Sequence, residues 1–552
     1  MKANKYVAFP LIQLDDRKWP GRRITSPPRW CSVDLRDGNQ SLEVPMTVEK
    51  KTEMFAALVD CGFKEIEVGF PAASPTEFQF VRKLIEENLI PDDVTIQVLV
   101  QAREELIQKT ITSLKGAKRI IIHLYNSTSP AQRKIVFGME KPEVLALAVS
   151  GTRTVKKCSR QLKGTEVLFE YSPESFSATE VEFALEVCEA VMDEWGATPE
   201  HPMILNLPDT VEVAMPNVYA DQIEWFCRNM TRRSSAVISV HTHNDRGTGV
   251  AATEFGILAG AERVEGTLFG NGERTGNLDI VTVALNMLTQ GIDPGLDFSD
   301  IPSLRKMYEQ CTGMTVHDRQ PYSGDLVFTA FSGSHQDAIN KGFHAREKAA
   351  DTEKWDIPYL IIDPQDIGRT YHEVVRINGQ SGKGGIAHIL ERKFGIHMPK
   401  DMVREFGSIA GTQIDKLGQE ATAEVLHEMF QREYIQREGS RYELESFSSN
   451  DHEGICKCSA MILLDQKRLY IKGEGNGPID AFIHAMHNAG VADVYVLGQA
   501  ENALGEGSAA SAIAYIQLQF PDGIVRWGAG VGTSITLASI RAVVSALNRE
   551  PA

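Results

Sequence analysis

From Trp30 onward the chain repeats one pattern: a short apolar run, a polar turn, then a longer stretch whose apolar residues recur at helical spacing. The apolar runs predict strands at Cys31–Leu35, Glu65–Val68, Thr95–Val100, Arg119–Leu124, Glu166–Phe169, Met203–Leu207, Ala236–Val240 and Arg263–Leu268. Helical segments separate them, such as Val48 to Cys61, where Met54, Phe55, Leu58 and Val59 share a face and Gly62 is the stop. Eight strand-plus-helix units over about 250 residues predict an α/β fold, a closed (β/α)8 TIM barrel. An open doubly wound sheet is the alternative. Its Gly-x-Gly-x-x-Gly turn is missing after the first strand, where Asp37-Gly38-Asn39-Gln40 stands instead.

Ahead of the repeat, Pro10, Pro20, Gly21, Pro27 and Pro28 make residues 1–29 an extended N-terminal lead-in that needs docking on the body to be ordered. The barrel is assigned to residues 30–325. Beyond Asp293-Pro294-Gly295, helical stretches broken by loops take over, and 326–445 is read as linker subdomains. Within them the glycine-dense Asn378–Gly385 reads as a phosphate cradle or a plain turn. Glu443 to Asn450 reads as a polar link, and 446–552 as a C-terminal α+β unit. Its predicted elements are strands Ser459–Leu464 and Ala514–Phe520, helices Ile479–Gly490 and Ser534–Asn548, and the turn Gly473–Pro478. Few candidate catalytic groups fall there, so binding or assembly is its expected job.

Composition narrows the function classes. The 552 residues are 42% hydrophobic and 24% charged, ordinary globular values with length for two or three domains. A net charge of −17 and a pI near 5.4 argue against general attraction to nucleic acid or anionic membrane. Met1–Pro10 lacks the apolar core of a signal peptide, and no run approaches the roughly 18 apolar residues that span a bilayer, so a cytoplasmic location is expected. Eight scattered cysteines fit reduced thiols, and the close pair Cys456 and Cys458 alternates in a strand-like run as two core-facing thiols would.

Barrel enzymes carry their chemistry at the C-terminal ends of the strands. The sequence sets Arg36 and Asp37 after the first strand, His123 at the end of the fourth, Glu170 after the fifth, and Asp209 and Thr210 after the sixth. His241 and His243 end the seventh, and Gly270-Asn271-Gly272-Glu273-Arg274-Thr275-Gly276-Asn277 follows the eighth. Two residues apart on a strand, both imidazoles face one side; taken alone they read more readily as a hydrogen-bonded strand end than as a metal site. With Asp37 they form a two-histidine, one-carboxylate set that leaves a divalent cation open positions for substrate, and Asn277 can add a weak oxygen ligand. Such a cation chelates a 2-oxo acid, and Arg36 is placed to stabilise the alkoxide that develops. The residues alone lead to metal-assisted carbonyl chemistry on a small oxo acid, with zinc, magnesium or manganese all admissible.

Six motifs go further: Leu35–Ser41, Glu67–Ser74, Asn206–Glu212, His241–Asp245, Gly270–Asn277 and Ser381–Gly385. Together they make the chain resemble the 2-isopropylmalate synthases, within the metal-dependent Claisen-condensing barrel enzymes. The Arg36-Asp37 and His241-x-His243 elements belong also to lyases and biotin-dependent decarboxylases of that wider group. The resemblance implies condensation of acetyl-CoA with 2-oxoisovalerate and water to 2-isopropylmalate and CoA. Site residues implied by it are Asp37, His241, His243 and Asn277 for the metal, Arg36 for the keto oxygen, and Thr210 for the substrate carboxylate. His123 and Glu170 line the pocket, while His335 and Tyr371 come from the other protomer of a homodimer. Glu170 and His335 are the implied acid/base pair.

For the C-terminal unit the resemblance implies a leucine-binding regulatory domain. The glycines of Gly473–Gly477 and Gly528–Gly532 are expected to offer backbone groups to the amino acid, with Leu504, Ala509, Ala512 and Ile535 walling an apolar pocket. Citramalate synthase, using pyruvate, and a non-enzymatic amino-acid sensor stay open as alternatives.

Overall fold

The computed structural model describes residues 5, 7–330, 332–347, 354–370, 383–417, 421–435, 440–504 and 511–549. The chain divides into two compact units: Met1–Val327 with Pro364–Arg369, and Phe328–Asp363 with Thr370–Ala552.

The first unit is the closed parallel barrel, with strands in sequence order: β1 Arg29–Ser32, β2 Glu65–Gly69, β3 Thr95–Gln101, β4 Arg119–Ser127, β5 Glu166–Glu174, β6 Met203–Asp209, β7 Ala236–Thr242 and β8 Arg263–Gly266. β1 pairs with both β2 and β8, which closes the sheet. Helices lie between the strands: α1 Val48–Asp60, α2 Pro75–Glu86, α3 Glu104–Ser113, α4 Lys141–Ser159, α5 Val181–Trp195, α6 Pro216–Asn229, α7 Gly249–Ala259 and α8 Ile280–Leu288. Side-chain caps from Thr47, Ser74 and Asp279 start α1, α2 and α8, and Gly196, in the left-handed region, ends α5. Inside the barrel an apolar layer of Ile121, Ile204 and Val237 forms one small cluster. The residues two further along β4 and β6 are His123 and Asn206, so the next layer toward the strand C-termini is polar.

Two strand ends differ from expectation. β1 stops at Ser32, because the amides of Arg36, Asp37 and Gly38 all turn back to the Val33 carbonyl in a π-helical turn over Asp34–Gly38. β4 and β5 run on to Ser127 and Glu174, so His123 and Glu170 lie mid-strand, side by side in the ladder, rather than at the strand ends. The N-terminal lead-in is docked: Arg17 and the Trp19 indole bind Asp221, and the backbone amides of Lys18 and Trp19 bind Glu224.

The second unit holds helices α9 Gly333–Arg346, α10 Lys383–Phe394, α11 Lys400–Leu417 and α12 Ala423–Phe430, then two antiparallel three-stranded sheets. β9 Tyr442–His452, β10 Ile455–Leu464 and β11 Lys467–Gly475 precede α13 Pro478–Asn488. β12 Tyr495–Leu504, β13 Ser511–Gln519 and β14 Val525–Gly532 precede α14 Ile535–Leu547. The expected polar link is therefore strand β9. Its inward residues Tyr442, Leu444 and Phe447 break strict alternation because the register slips at Met461/Ile462 and Glu445 is the extra residue. The glycine-rich turns are also corrected: Gly473 and Gly475 lie in β11, and Gly528, Gly530 and Gly532 in β14. A Cβ on Gly473 would sit 2.3 Å from the Ala481 carbonyl of α13, and one on Gly530 2.3 Å from the Ala538 carbonyl of α14. These glycines seat helix backbone directly on sheet. Cys456 and Cys458 are buried free thiols, as expected.

Candidate active site

The π-helical turn after β1 lifts Arg36 and Asp37 to the mouth, and Asp37 meets the two histidines of β7 there. Its Oδ2 lies 3.4 Å from His241 Nε2 and 3.5 Å from His243 Nε2, while Oδ1 accepts from Arg36 at 2.6 Å. One ligand atom from each of Asp37, His241 and His243 falls within 4.8 Å of the others, and all three residues are buried. Asp37 Oδ2 is buried with no hydrogen-bond partner among the described residues, which is the mark of a donor set shaped for a cation. Asn277 stands beside them, its Oδ1 3.1 Å from His241 Nε2. A Cβ on Gly272 would meet the Asn277 side-chain Nδ2 at 2.5 Å and its backbone nitrogen at 2.7 Å, so a glycine there is what lets Asn277 fold inward.

The charges agree with that reading. Burial works to raise the Asp37 carboxyl, yet Arg36 and the two imidazoles hold it well below the usual carboxylate range. Burial works against a proton on His241, yet Asp37 and Glu265 on either side raise its imidazole to about 9; a bound cation takes that proton's place. His243 is depressed by burial.

Around this set lies a cavity of about 310 Å³. Arg36 and the three metal-set residues line it together with Leu99, His123, Tyr125, Ser172, Pro208 and Thr210. Arg36 is fixed from below by Glu67 at 2.5 Å, and Glu67 also holds His123 Nδ1 at 2.9 Å. His123 Nε2 meets the Ser172 hydroxyl at 2.7 Å. Thr210 accepts from the Ser175 amide at 2.9 Å, and Arg274 donates to its carbonyl at 2.5 Å while binding Asp245.

Three family models match the chain. One described as HMGL-like covers residues 27–307, one described as alpha-isopropylmalate synthase, post-catalytic domain-like covers 325–391, and one described as LeuA allosteric (dimerisation) domain covers 420–550. The chain is 52% identical to the 2-isopropylmalate synthase of Clostridium acetobutylicum, covering 100% of this chain and 99% of that one. It is 53% identical to the enzyme of that name from Parafrankia sp. (100% and 98% covered) and 54% identical to that of Pseudomonas putida strain W619 (99% and 97% covered). The chain belongs to the 2-isopropylmalate synthases.

For a 2-isopropylmalate synthase the placement of each expected residue can be given. Arg36, Asp37, His123, Thr210, His241, His243 and Asn277 come together at one mouth. Glu170 sits lower, fully buried, 3.5 Å from His123 Nε2 and 3.4 Å from Arg263 Nη1. Burial pushes its carboxyl well above the usual range, against the pull of Arg263. His335 belongs to the second unit, exposed on the first turn of α9 with its ring stacked 4.0 Å from that of Tyr359. Tyr371 and Ala509 lie outside the described residues. Leu504 packs into the core cluster that includes Ile513, whereas Ala512 belongs to the cluster beneath α14 and Ile535 is 51% exposed. The physical reason is the strand period of two: Ala512 and Ile513 point to opposite faces of β13.

Sequence reasoning gave no role to the layer beneath the site. Arg263, fully buried, reaches Glu65 at 2.5 Å, Glu265 and Gln97 at 2.7 Å, and Ser239 at 2.9 Å. Removing it would strand buried carboxylates, a change that costs about 3–5 kcal/mol. The available signal was charge inside apolar strands, at Glu65, Glu67, Arg263 and Glu265.

Proposed function

We propose that this chain condenses acetyl-CoA with 2-oxoisovalerate and water, releasing 2-isopropylmalate and CoA, as a homodimer regulated by leucine. The observation that supports this most is the meeting of Asp37, His241 and His243 within 4.8 Å at the barrel mouth, with Arg36 bonded to the Asp37 carboxylate. A divalent cation held there, zinc, magnesium or manganese, would polarise the 2-oxo acid's keto group.

The chain's own residues do the rest. Arg36, kept charged by Asp37 and Glu67 despite its burial, supplies fixed N–H donors where alkoxide charge develops. The Thr210 hydroxyl, which lines the cavity, is proposed to bind the substrate carboxylate. Leu99, Pro208 and the Tyr125 ring give the branched alkyl group an apolar surface. Glu170, whose burial favours its acid form and which adjoins His123 at 3.5 Å, is proposed as one member of the acid/base pair with His335. His335 is proposed as the group that removes the thioester methyl proton, with Tyr371 as its companion.

Release of free CoA, followed with a thiol reagent across 2-oxoisovalerate, pyruvate and 2-oxoglutarate, tests the reading. The highest kcat/KM is expected with 2-oxoisovalerate. A preference for pyruvate would make the chain a citramalate synthase, and no release with any acid would leave a sensor.

A further inference from the structure

Lys51 is a fully buried cation that takes no part in the chemistry above. It projects from α1; its Nζ lies 2.5 Å from Glu77 Oε1 of α2 and donates to the Val68 carbonyl at 3.2 Å. Val68 is the extra residue of an irregular pairing: Glu67 stands opposite Gln97 and Gly69 opposite Val98, so β2 bulges between them. Bulges are rare between parallel strands, and they re-aim neighbouring side chains. The second oxygen of Glu77 takes the Phe70 amide at 3.1 Å, one residue past the strand. The ion pair therefore grips both sides of the bulge. Gly69 makes room for it, since a Cβ there would fall 2.1 Å from Glu77 Oε2. On the near side of the bulge is Glu67, the carboxylate that holds Arg36 at 2.5 Å and His123 at 2.9 Å.

We propose that Lys51 and Glu77 are positioning residues: by clamping the Val68 bulge they set the aim of Glu67, and through it the Arg36 guanidinium. The proposal rests on the reaction proposed above. A buried ion pair serving stability alone would have no preferred route to the site, whereas this clamp acts through one side chain. Arg36 matters most when oxyanion charge develops, so the loss belongs in kcat rather than KM.

The test is a double-mutant cycle on the full chain, with circular dichroism to verify folding and kcat for CoA release from acetyl-CoA and 2-oxoisovalerate. Lys51→Met is expected to lower kcat at least tenfold in the wild-type background, with KM for the oxo acid within threefold. In a Glu67→Gln background, where the carboxylate it aims is already gone, the same substitution should cost at least fivefold less. A cycle in which the two losses differ by less than fivefold overturns the clamp. Should Lys51→Met not fold, the isosteric Glu77→Gln carries the same comparison. The wild-type control keeps the two readings apart: an inactive wild type ends the proposed reaction, and an active one with independent losses ends only the clamp.

Discussion

The Nδ1 atom of His241 lies 2.8 Å from Oε2 of Glu265, and this contact decides which face of the imidazole looks at Asp37. Burial would raise the Glu265 carboxyl, but Arg263 and His241 keep it well below the usual range, so it is an anion. An anion there requires Nδ1–H as donor, which leaves Nε2 as the atom facing Asp37 and Asn277, the one that would exchange its proton for a cation. Among the described residues no hydrogen bond fixes His243 in this way; its Nδ1 is buried without a partner there.

Glu265→Gln is accordingly expected to weaken divalent-cation affinity by about 10- to 100-fold, the usual cost of losing a carboxylate behind a metal-bound histidine. Calorimetric titration of chelator-stripped protein measures it directly. Unchanged affinity would mean the Asp37 carboxylate alone orients His241.

A second expectation concerns pH. Burial pushes the Asp34 carboxyl up to about 7, against its bonds from the Ser32 hydroxyl and the Leu268 amide. Unfolded, the same group titrates near 4, so between these values the folded chain holds one proton more than the unfolded chain. Its contribution is full below about pH 4 and is lost as pH rises through 7, on the order of 4 kcal/mol at most. Asp34→Asn, neutral throughout, should lose less stability than wild type between pH 4.5 and 7.5. Urea midpoints at those two values decide it, and equal slopes would refute the assignment.

Legibility in the sequence followed the strength of the local signal. The barrel strands are apolar runs bounded by turns, and all eight could be read. The metal set could be read because a strand-end rule converts sequence position into spatial position for Asp37, His241 and His243. Glu67, Glu265 and Arg263 escaped because, the Arg263–Glu265 contact within β8 aside, their partners come from other parts of the chain, and only the closed barrel brings them together. Lys51 looked like one more polar helix residue. In the C-terminal unit the glycines of β11 and β14 imitate turn chemistry; what demands them is a helix backbone lying against the strand, which no local pattern reveals.

That packing yields a third expectation. A Cβ at Gly530 would stand 2.3 Å from the Ala538 carbonyl and 2.5 Å from the Ala542 amide, with α14 backbone unable to yield. Gly530→Ala should destabilise by about 1–3 kcal/mol or more. Gly477, with nothing within 4 Å of its Cβ position, is the control and should tolerate alanine. Denaturation midpoints that fall equally in both variants would deny glycine its packing role.

Leucine is expected to act through the C-terminal unit, which lies almost wholly within the match to the LeuA allosteric domain over residues 420–550. Two distinct sites coupled by a finite free energy predict a particular titration. Leucine affinity of the full chain should fall as 2-oxoisovalerate is added, then level off once the oxo acid saturates, typically after a change of about 5- to 150-fold. By linkage the oxo acid's own affinity must drop by that same factor at saturating leucine. Competition for one site behaves otherwise: apparent leucine affinity keeps falling in proportion to the oxo acid, with no plateau. Calorimetry of leucine at a series of 2-oxoisovalerate concentrations, with the cation present, separates the two. A plateau places the effector outside the barrel mouth. An unlimited decline would put leucine on Thr210 and the metal set as a substrate mimic, and the C-terminal sheets would then be left with assembly alone.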